Sequence, residues 1–203
     1  MNAVILVLSF LMQFAQLANA TDKASPKVTV ETEKAVFAAG CFWGVEEFFR
    51  KIPGVVETSV GYTGGKSKAP RYHDVSSGVT GHAEAVEVQF DPKKVSLEKL
   101  FDQFYKMHDP TTLNAQGNDK GTQYRSAFFY NSEEQKKIAE AFKAKVEKSG
   151  AWKKPITTEI SKAGPYYPAE EEHQDYLIKN KGGYDNHYLR EISFDTQKKL
   201  KSQ

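Results

Sequence analysis

The chain has 203 residues, 39% of them hydrophobic and 12% aromatic, with 28 Lys plus Arg against 26 Asp plus Glu for a net charge of +2. That length and composition suit one folded domain with a sizeable core and exclude disorder as the general state. The near balance of charge gives no reason to expect nucleic acid, and the dispersed lysines read as solvated surface.

Met1 to Ala20 contains no charged side chain, and apolar Val4 to Leu8 and Phe10 to Met12 are followed by Ala18-Asn19-Ala20, an A-x-A cleavage pattern. The stretch reads as a secretory signal peptide over 1–20, cleaved after Ala20, for a periplasmic or secreted protein. An uncleaved anchor competes with this reading, because no Lys or Arg precedes the apolar run. Against the anchor, Gln13 and Gln16 leave the run short of the ~18 to 20 apolar residues that a spanning helix wants. Removing an uncharged leader leaves the mature charge at +2. Residues 21–33 are polar and Pro-containing, a flexible lead-in; 34–190 hold the domain, and 191–203 form a basic tail.

Ala35 to Ala39 predicts a short strand, and Phe42, Val45, Phe48 and Phe49 recur at helical spacing until Pro53-Gly54 stops the helix. Val55 to Val60 predicts a second strand. Gly61 to Gly81, rich in Gly, Ser, Pro and Lys, predicts a long loop, and loops of that length in a compact domain are usually functional or disordered. His82 to Phe90 is the clearest strand, and its period of two puts His82, Glu84, Val86, Val88 and Phe90 on one face. Ser96 caps a helix whose apolar positions are Leu97, Leu100, Phe101 and Phe104. A second polar loop, Thr111 to Tyr124, leads to a strand at Ser126 to Tyr130 and a helix from Ser132 to Lys148 that stops at Gly150. A last strand is predicted at Ile156 to Ile160 and a last helix at Ala169 to Asn180. The order predicts an α+β fold, a two-layer ferredoxin-like α/β plait with an extra C-terminal helix and strand and long loops.

Cys41 is the only cysteine, so an internal disulfide is impossible. The strand before it and the helix after it place it at a turn, where unpaired N–H groups and the positive helix end favour the reactive thiolate. The alternative is a small buried hydrophobe, and this stretch alone does not decide between the two. Glu84 shares its face with Val86, Val88 and Phe90. Burial there would raise its pKa and keep a protonated acid near neutral pH, whereas a place at the fraying strand end would pair it with a surface lysine. The histidines His73, His82, His108, His173 and His187 show no metal-ligand spacing, and no Gly-rich phosphate or dinucleotide signature follows a strand. A Cys-His hydrolase remains open with His82 or His173 as base, though neither has a local feature that favours it.

Four motifs sharpen the choice: Gly40-Cys41-Phe42-Trp43-Gly44-Val45-Glu46, Gly61-Tyr62-Thr63-Gly64-Gly65, Gly81-His82-Ala83-Glu84-Ala85-Val86, and Gly117-Asn118-Asp119 with Gly121-Thr122-Gln123-Tyr124-Arg125-Ser126. In this order, from about Phe37 to Tyr184, the chain resembles the peptide methionine-sulfoxide reductase A family. The resemblance implies that Cys41 is a nucleophilic thiolate and Glu84 the acid that protonates the departing sulfoxide oxygen. It also implies that Phe42 and Trp43 form the pocket for the S-methyl group, and that Tyr72, Asp119 and Tyr124 hydrogen-bond the sulfoxide oxygen and its surroundings. Without it, Phe42 and Trp43 read as ordinary core and the tyrosines as loop anchors. The implied substrate is the S epimer of methionine sulfoxide, free or in oxidised proteins or peptides, and the implied reaction is a repair.

No bound cofactor or metal and no nucleic acid are expected, and the chain is expected to be a monomer. Many relatives carry one or two further cysteines near the C-terminus, whereas Gly182-Gly183-Tyr184-Asp185-Asn186-His187 has none. A sulfenic acid on Cys41 would therefore be reset by an external thiol reductant, thioredoxin-like or of the glutaredoxin/glutathione kind. The competing class is a binding module that holds Met-containing peptides on Phe42 and Trp43 with Cys41 inert.

Overall fold

The computed structural model describes residues 31–195. The expected leader over 1–20, most of the lead-in and the end of the basic tail lie outside the described residues. Both faces of β1 (Glu33–Ala39) are apolar, with Ala35 to Ala39 all buried, which suits it to a place between two other strands. Helix α1 (Phe42–Arg50) follows after the single turn at Gly40-Cys41, then β2 (Val55–Thr63), a short helix α2 (Tyr72–Ser76) and β3 (Ala83–Phe90). Helix α3 (Leu97–Met107) starts at Ser96, whose hydroxyl accepts the Lys99 amide at 3.3 Å.

A two-residue hairpin of β4 (Ala115–Gln116) and β5 (Asp119–Lys120) and a 3-10 turn at Thr122–Tyr124 come before β6 (Ser126–Tyr130). Helix α4 (Glu133–Ser149) is capped by Ser132 and ends on Gly150 at φ 61°, a left-handed residue that favours glycine. The chain closes with β7 (Glu159–Lys162), β8 (Tyr167–Pro168) and one helical turn, α5 (Tyr176–Lys179).

The six-stranded sheet runs β7-β6-β1-β3-β2-β8, with β6 and β7 parallel and every other pair antiparallel. This is a mixed α/β fold on a mostly antiparallel sheet. One face of the sheet carries Ala35, Phe37, Val86, Val88, Phe90 and Phe128, against which α1, α3 and α4 place Phe49, Phe101 and Phe142. Phe37 sits at its centre, 4.7 Å from Phe49, 5.4 Å from Phe101 and 5.0 Å from Phe128 between ring centroids. The other face is lined by Val36, Ala38, Ala83, Ala85, Ala127 and Phe129 and is covered by Ala163 and Tyr166. Small residues there let a loop, not a helix, lie close to the strands. Packing continues past residue 190, where Ile192 lies on the core and Phe194 is buried.

Three local expectations change. The first loop is shorter than 61–81 because β2 runs on to Thr63 and α2 interrupts the rest. The strand expected at 156–160 lies at Glu159–Lys162, since Thr157 leaves the sheet line to donate its amide to Pro110 O, and it is not the last, because β8 follows it. The helix expected over 169–180 shrinks to α5. Gln174 is the reason: its side chain accepts the Val60 amide and donates to the Val60 carbonyl, both at 2.9 Å, as a neighbouring strand would. Asp175 then turns at φ 51°, so a helix cannot run through.

Candidate active site

Cys41 is the N-cap residue of α1 and 7% exposed; its side chain makes no cap hydrogen bond, while the nearby backbone amides of Trp43 and Gly44 favour the thiolate. The turn depends on Gly40, whose φ of 101° favours glycine and whose Cβ would stand 2.7 Å from Gln116 Cβ. Burial pushes the Cys41 thiol up, the charge of Glu84 pushes it further, and the two amides pull it back. The expected helix-end effect is thus present, but burial outweighs it and the resting thiol keeps its proton.

Glu84 lies on β3 on the same face as Val86, Val88 and Phe90, as the strand period predicts, and is 1% exposed. Surface pairing with a lysine is ruled out by that burial; its contact is the Phe42 amide, which donates to Glu84 Oε2 at 3.1 Å. Burial raises its carboxyl to about 8, with a lowering contribution from the Phe42 amide and a raising one from Asp119. The acid is therefore largely protonated at neutral pH. Neutral Glu84 also removes the charge that most opposes the Cys41 thiolate after burial itself.

Around this pair stands an aromatic wall. Phe42 is fully buried, with Tyr62, Tyr72 and His173 rings 5.9, 6.3 and 5.6 Å away. Trp43 stacks on Tyr176 at 3.8 Å, and its indole N–H donates to His173 Nδ1 at 3.2 Å. Burial holds His173 below its ordinary value, which suits a neutral ring that accepts from the indole. The hydroxyls of Tyr72 and Tyr124 lie in the same field: burial raises both, and the charges on Glu84, Asp119 and Cys41 add to it, with Tyr72 reaching about 12. Asp119 reaches the group from β5, where it accepts from Tyr184 Oη and Asn186 Nδ2, both at 3.0 Å. All seven residues named from the sequence, Cys41, Phe42, Trp43, Tyr72, Glu84, Asp119 and Tyr124, thus belong to one interacting cluster.

Sequence reasoning missed the supports. Glu170 accepts the Tyr72 amide on Oε1 and the Tyr62 hydroxyl on Oε2, each at 2.9 Å, and so holds α2 against β2. Glu46 is buried one turn along α1; it accepts from Thr58 Oγ1 at 3.3 Å and from the Asp175 amide at 2.9 Å, fixing the turn that presents Tyr176. Glu46 closes the first motif without a role of its own there, and Glu170 lies in an acidic run, Glu170-Glu171-Glu172, that reads as surface. His82 is no base: Gly65 donates to its Nδ1 at 3.1 Å and Nε2 lies 2.8 Å from Ser67 O, so it ties down the first loop. Among the described residues, no group of three His, Cys, Asp or Glu is placed to hold a metal.

The family described as peptide methionine sulfoxide reductase matches residues 33–203 of the chain. A curated relative, peptide methionine sulfoxide reductase MsrA of Methanothermobacter thermautotrophicus, is 56% identical over 148 residues, 73% of this chain and 88% of that protein. The crystal structure of Mxr1 from Saccharomyces cerevisiae in reduced form superposes with a TM-score of 0.75 at 40% identity, covering 80% of this chain and 94% of the other. Mxr1 in complex with Trx2 is also similar, with a TM-score of 0.51 at 28% identity over 83% of this chain and 97% of the other.

Proposed function

The chain belongs to the peptide methionine sulfoxide reductase family, and from that premise we propose that Cys41 is the nucleophile and Glu84 the acid in reduction of the S epimer. As an oxidoreductase of this family it reduces methionine sulfoxide to methionine and so repairs oxidised protein. In the proposed step the Cys41 sulfur attacks the sulfoxide sulfur as its proton leaves, and Glu84 delivers a proton to the oxygen. Methionine departs and the oxygen remains on Cys41 as a sulfenic acid, so one thiol and one sulfoxide give one sulfenic acid and one thioether. Two external thiols then return Cys41 to the thiol, releasing a disulfide and water.

Phe42 and Trp43 receive the S-methyl group, and the hydroxyls of Tyr72 and Tyr124 with Asp119 hold the oxygen and its surroundings. A thioredoxin-like reductant is supported by the complex of the yeast relative with Trx2, and a glutaredoxin or glutathione system fits the same chemistry. The charge-free 1–20 leader supports export with cleavage after Ala20, and we take the mature enzyme as a monomer. The order β6-β1-β3-β2 supports reading the sheet centre as a ferredoxin-like plait widened at both edges.

The observation that carries the assignment is the buried Glu84 carboxyl bonded to the amide that follows Cys41, at 3.1 Å. The test supplies purified protein, dithiothreitol and the two methionine-sulfoxide epimers in separate reactions. Loss of the S epimer alone, abolished in Cys41→Ser, is expected; equal loss of both epimers, or turnover by Cys41→Ser, overturns it.

A further inference from the structure

Gly44 lies within the regular part of α1, where glycine is unfavourable relative to alanine, so its place there needs a reason. The reason comes from the far end of the chain. A Cβ on Gly44 would collide with Asp185 Oδ1 and His187 Nδ1, and one on Gly40 would stand 3.4 Å from His187 Nε2. The His187 ring is therefore lodged between the two glycines that bracket Cys41, with its side chain fully buried. Its Nε2 lies 2.7 Å from Ala39 O, and its Nδ1 lies 3.0 Å from Asp185 Oδ1, a carboxylate that also accepts the His187 amide at 2.8 Å. Both ring partners, the Ala39 carbonyl and the Asp185 carboxylate, are acceptors, and they hold the ring from opposite edges.

These contacts touch the thiol's turn on both sides. Ala39 is the last residue of β1, two before Cys41, and Gly44 supplies one of the two helix-end amides that favour the Cys41 thiolate. Next to His187, Asn186 donates to Gln116 O and Asp119 at 3.0 Å, which carries the same segment over to the second loop. We propose that His187, braced by Asp185, is a positioning residue for Cys41: it fixes the strand-to-helix turn from the Ala39 carbonyl to the Gly44 amide and keeps the helix-end amides aimed at the sulfur. It reaches neither the substrate nor the reacting sulfur and acts through the backbone. The proposal rests on Cys41 being the nucleophile of the reaction given above.

The single cysteine makes the test direct, because alkylation by iodoacetamide reports on Cys41 alone. Alkylation rate against pH and single-turnover reduction of methionine sulfoxide are measured on the full chain carrying His187→Ala, His187→Gln or Asp185→Asn. With His187→Ala, alkylation at neutral pH is expected to slow about tenfold with its profile displaced to higher pH, the size of one pKa unit. Single turnover slows in parallel while KM changes little. His187→Gln, whose amide still donates to Ala39 O, recovers most of the rate, and Asp185→Asn shifts the profile in the same direction by less.

Wild-type alkylation profiles in His187→Ala overturn the proposal. Should His187→Ala not fold, an unchanged profile in Asp185→Asn together with no recovery in His187→Gln overturns it instead. Failure of the underlying assignment looks different: Cys41→Ser would then still turn over sulfoxide, whatever the His187 variants do.

Discussion

The backbone N–H of Phe42 reaches Glu84 Oε2 at 3.1 Å, so the acid carried by β3 is bonded to the residue that follows the thiol. Burial and this contact act on Glu84 in opposite directions, and burial prevails, leaving the carboxyl at about 8. Single-turnover reduction is therefore expected to fall as pH rises through about 8, because the protonated donor is lost. Glu84→Gln should lower the rate by ~10²- to 10⁴-fold, the usual worth of a positioned acid, and erase that descending limb. Alkylation of Cys41 at high pH should move the other way and be faster in Glu84→Gln, since the charge opposing the thiolate is gone. Identical alkylation in the two proteins would show the two groups to be uncoupled.

The same burial makes a stability prediction. Glu84 and Glu46 are both raised from 4.5, to about 8 and about 7. A raised carboxyl binds its proton more tightly in the fold, so its contribution is complete below 4.5 and is lost as pH rises through 7 and 8. His108 acts at the other end: burial lowers it to about 3, so its neutral ring costs stability as pH falls below 6.5. Comparing Glu84→Gln with wild type cancels His108 and Glu46. The variant should match wild type in acid and gain on it through pH 8, by a few kcal/mol at ~1.4 kcal/mol per pKa unit. Thermal melts across the pH range read this; a constant difference in Tm would count against buried ionisation at Glu84.

Trp43 is clamped by Tyr176 stacked at 3.8 Å and by the His173 bond at 3.2 Å. Tyr176→Ala removes one side of the clamp, and an aromatic pair is worth ~0.5 to 1.5 kcal/mol, so KM should rise about two- to tenfold with kcat changed less. Glu46→Gln loosens the same wall from behind by weakening the bond to the Asp175 amide, and should raise KM by a smaller factor. Steady-state kinetics with a sulfoxide-containing peptide separates the two constants. A fall in kcat alone would place the stack in the chemical step instead of in substrate binding.

Much of this was legible in the sequence where one strong period governed a stretch. The alternation in Ala83–Phe90 put Glu84 on the core face, and Ser96, Ser132 and Gly150 marked helix ends that the fold uses as caps. What escaped notice was set by contacts between distant segments. The stretch from Ala169 to Asn180 has the composition of a helix, yet the Gln174 side chain takes both backbone groups of Val60 and holds residues 171–175 as turns beside β2. Gly44 read as part of a motif, but its purpose lies in Asp185 and His187, more than 140 residues on. The thiol itself was expected to be eased toward ionisation by its helix end; only the packing around Cys41 reveals that burial is the larger effect.

The lone cysteine sets the stoichiometry of the reaction. With no second thiol in the chain, Cys41 can start a cycle but has no internal partner to close it. Mixed with excess methionine S-sulfoxide and no reductant, the protein should release about one equivalent of methionine in a single burst and then stop. Dimedone added at that point should label Cys41, as a sulfenic acid and not a disulfide, and the labelled protein should gain no activity from dithiothreitol. Adding a thioredoxin system or glutathione with glutaredoxin before the label should restore turnover, and the faster of the two identifies the better reductant. Two equivalents of methionine in the burst would require an oxidation step beyond the sulfenic acid and would remove the one-thiol scheme.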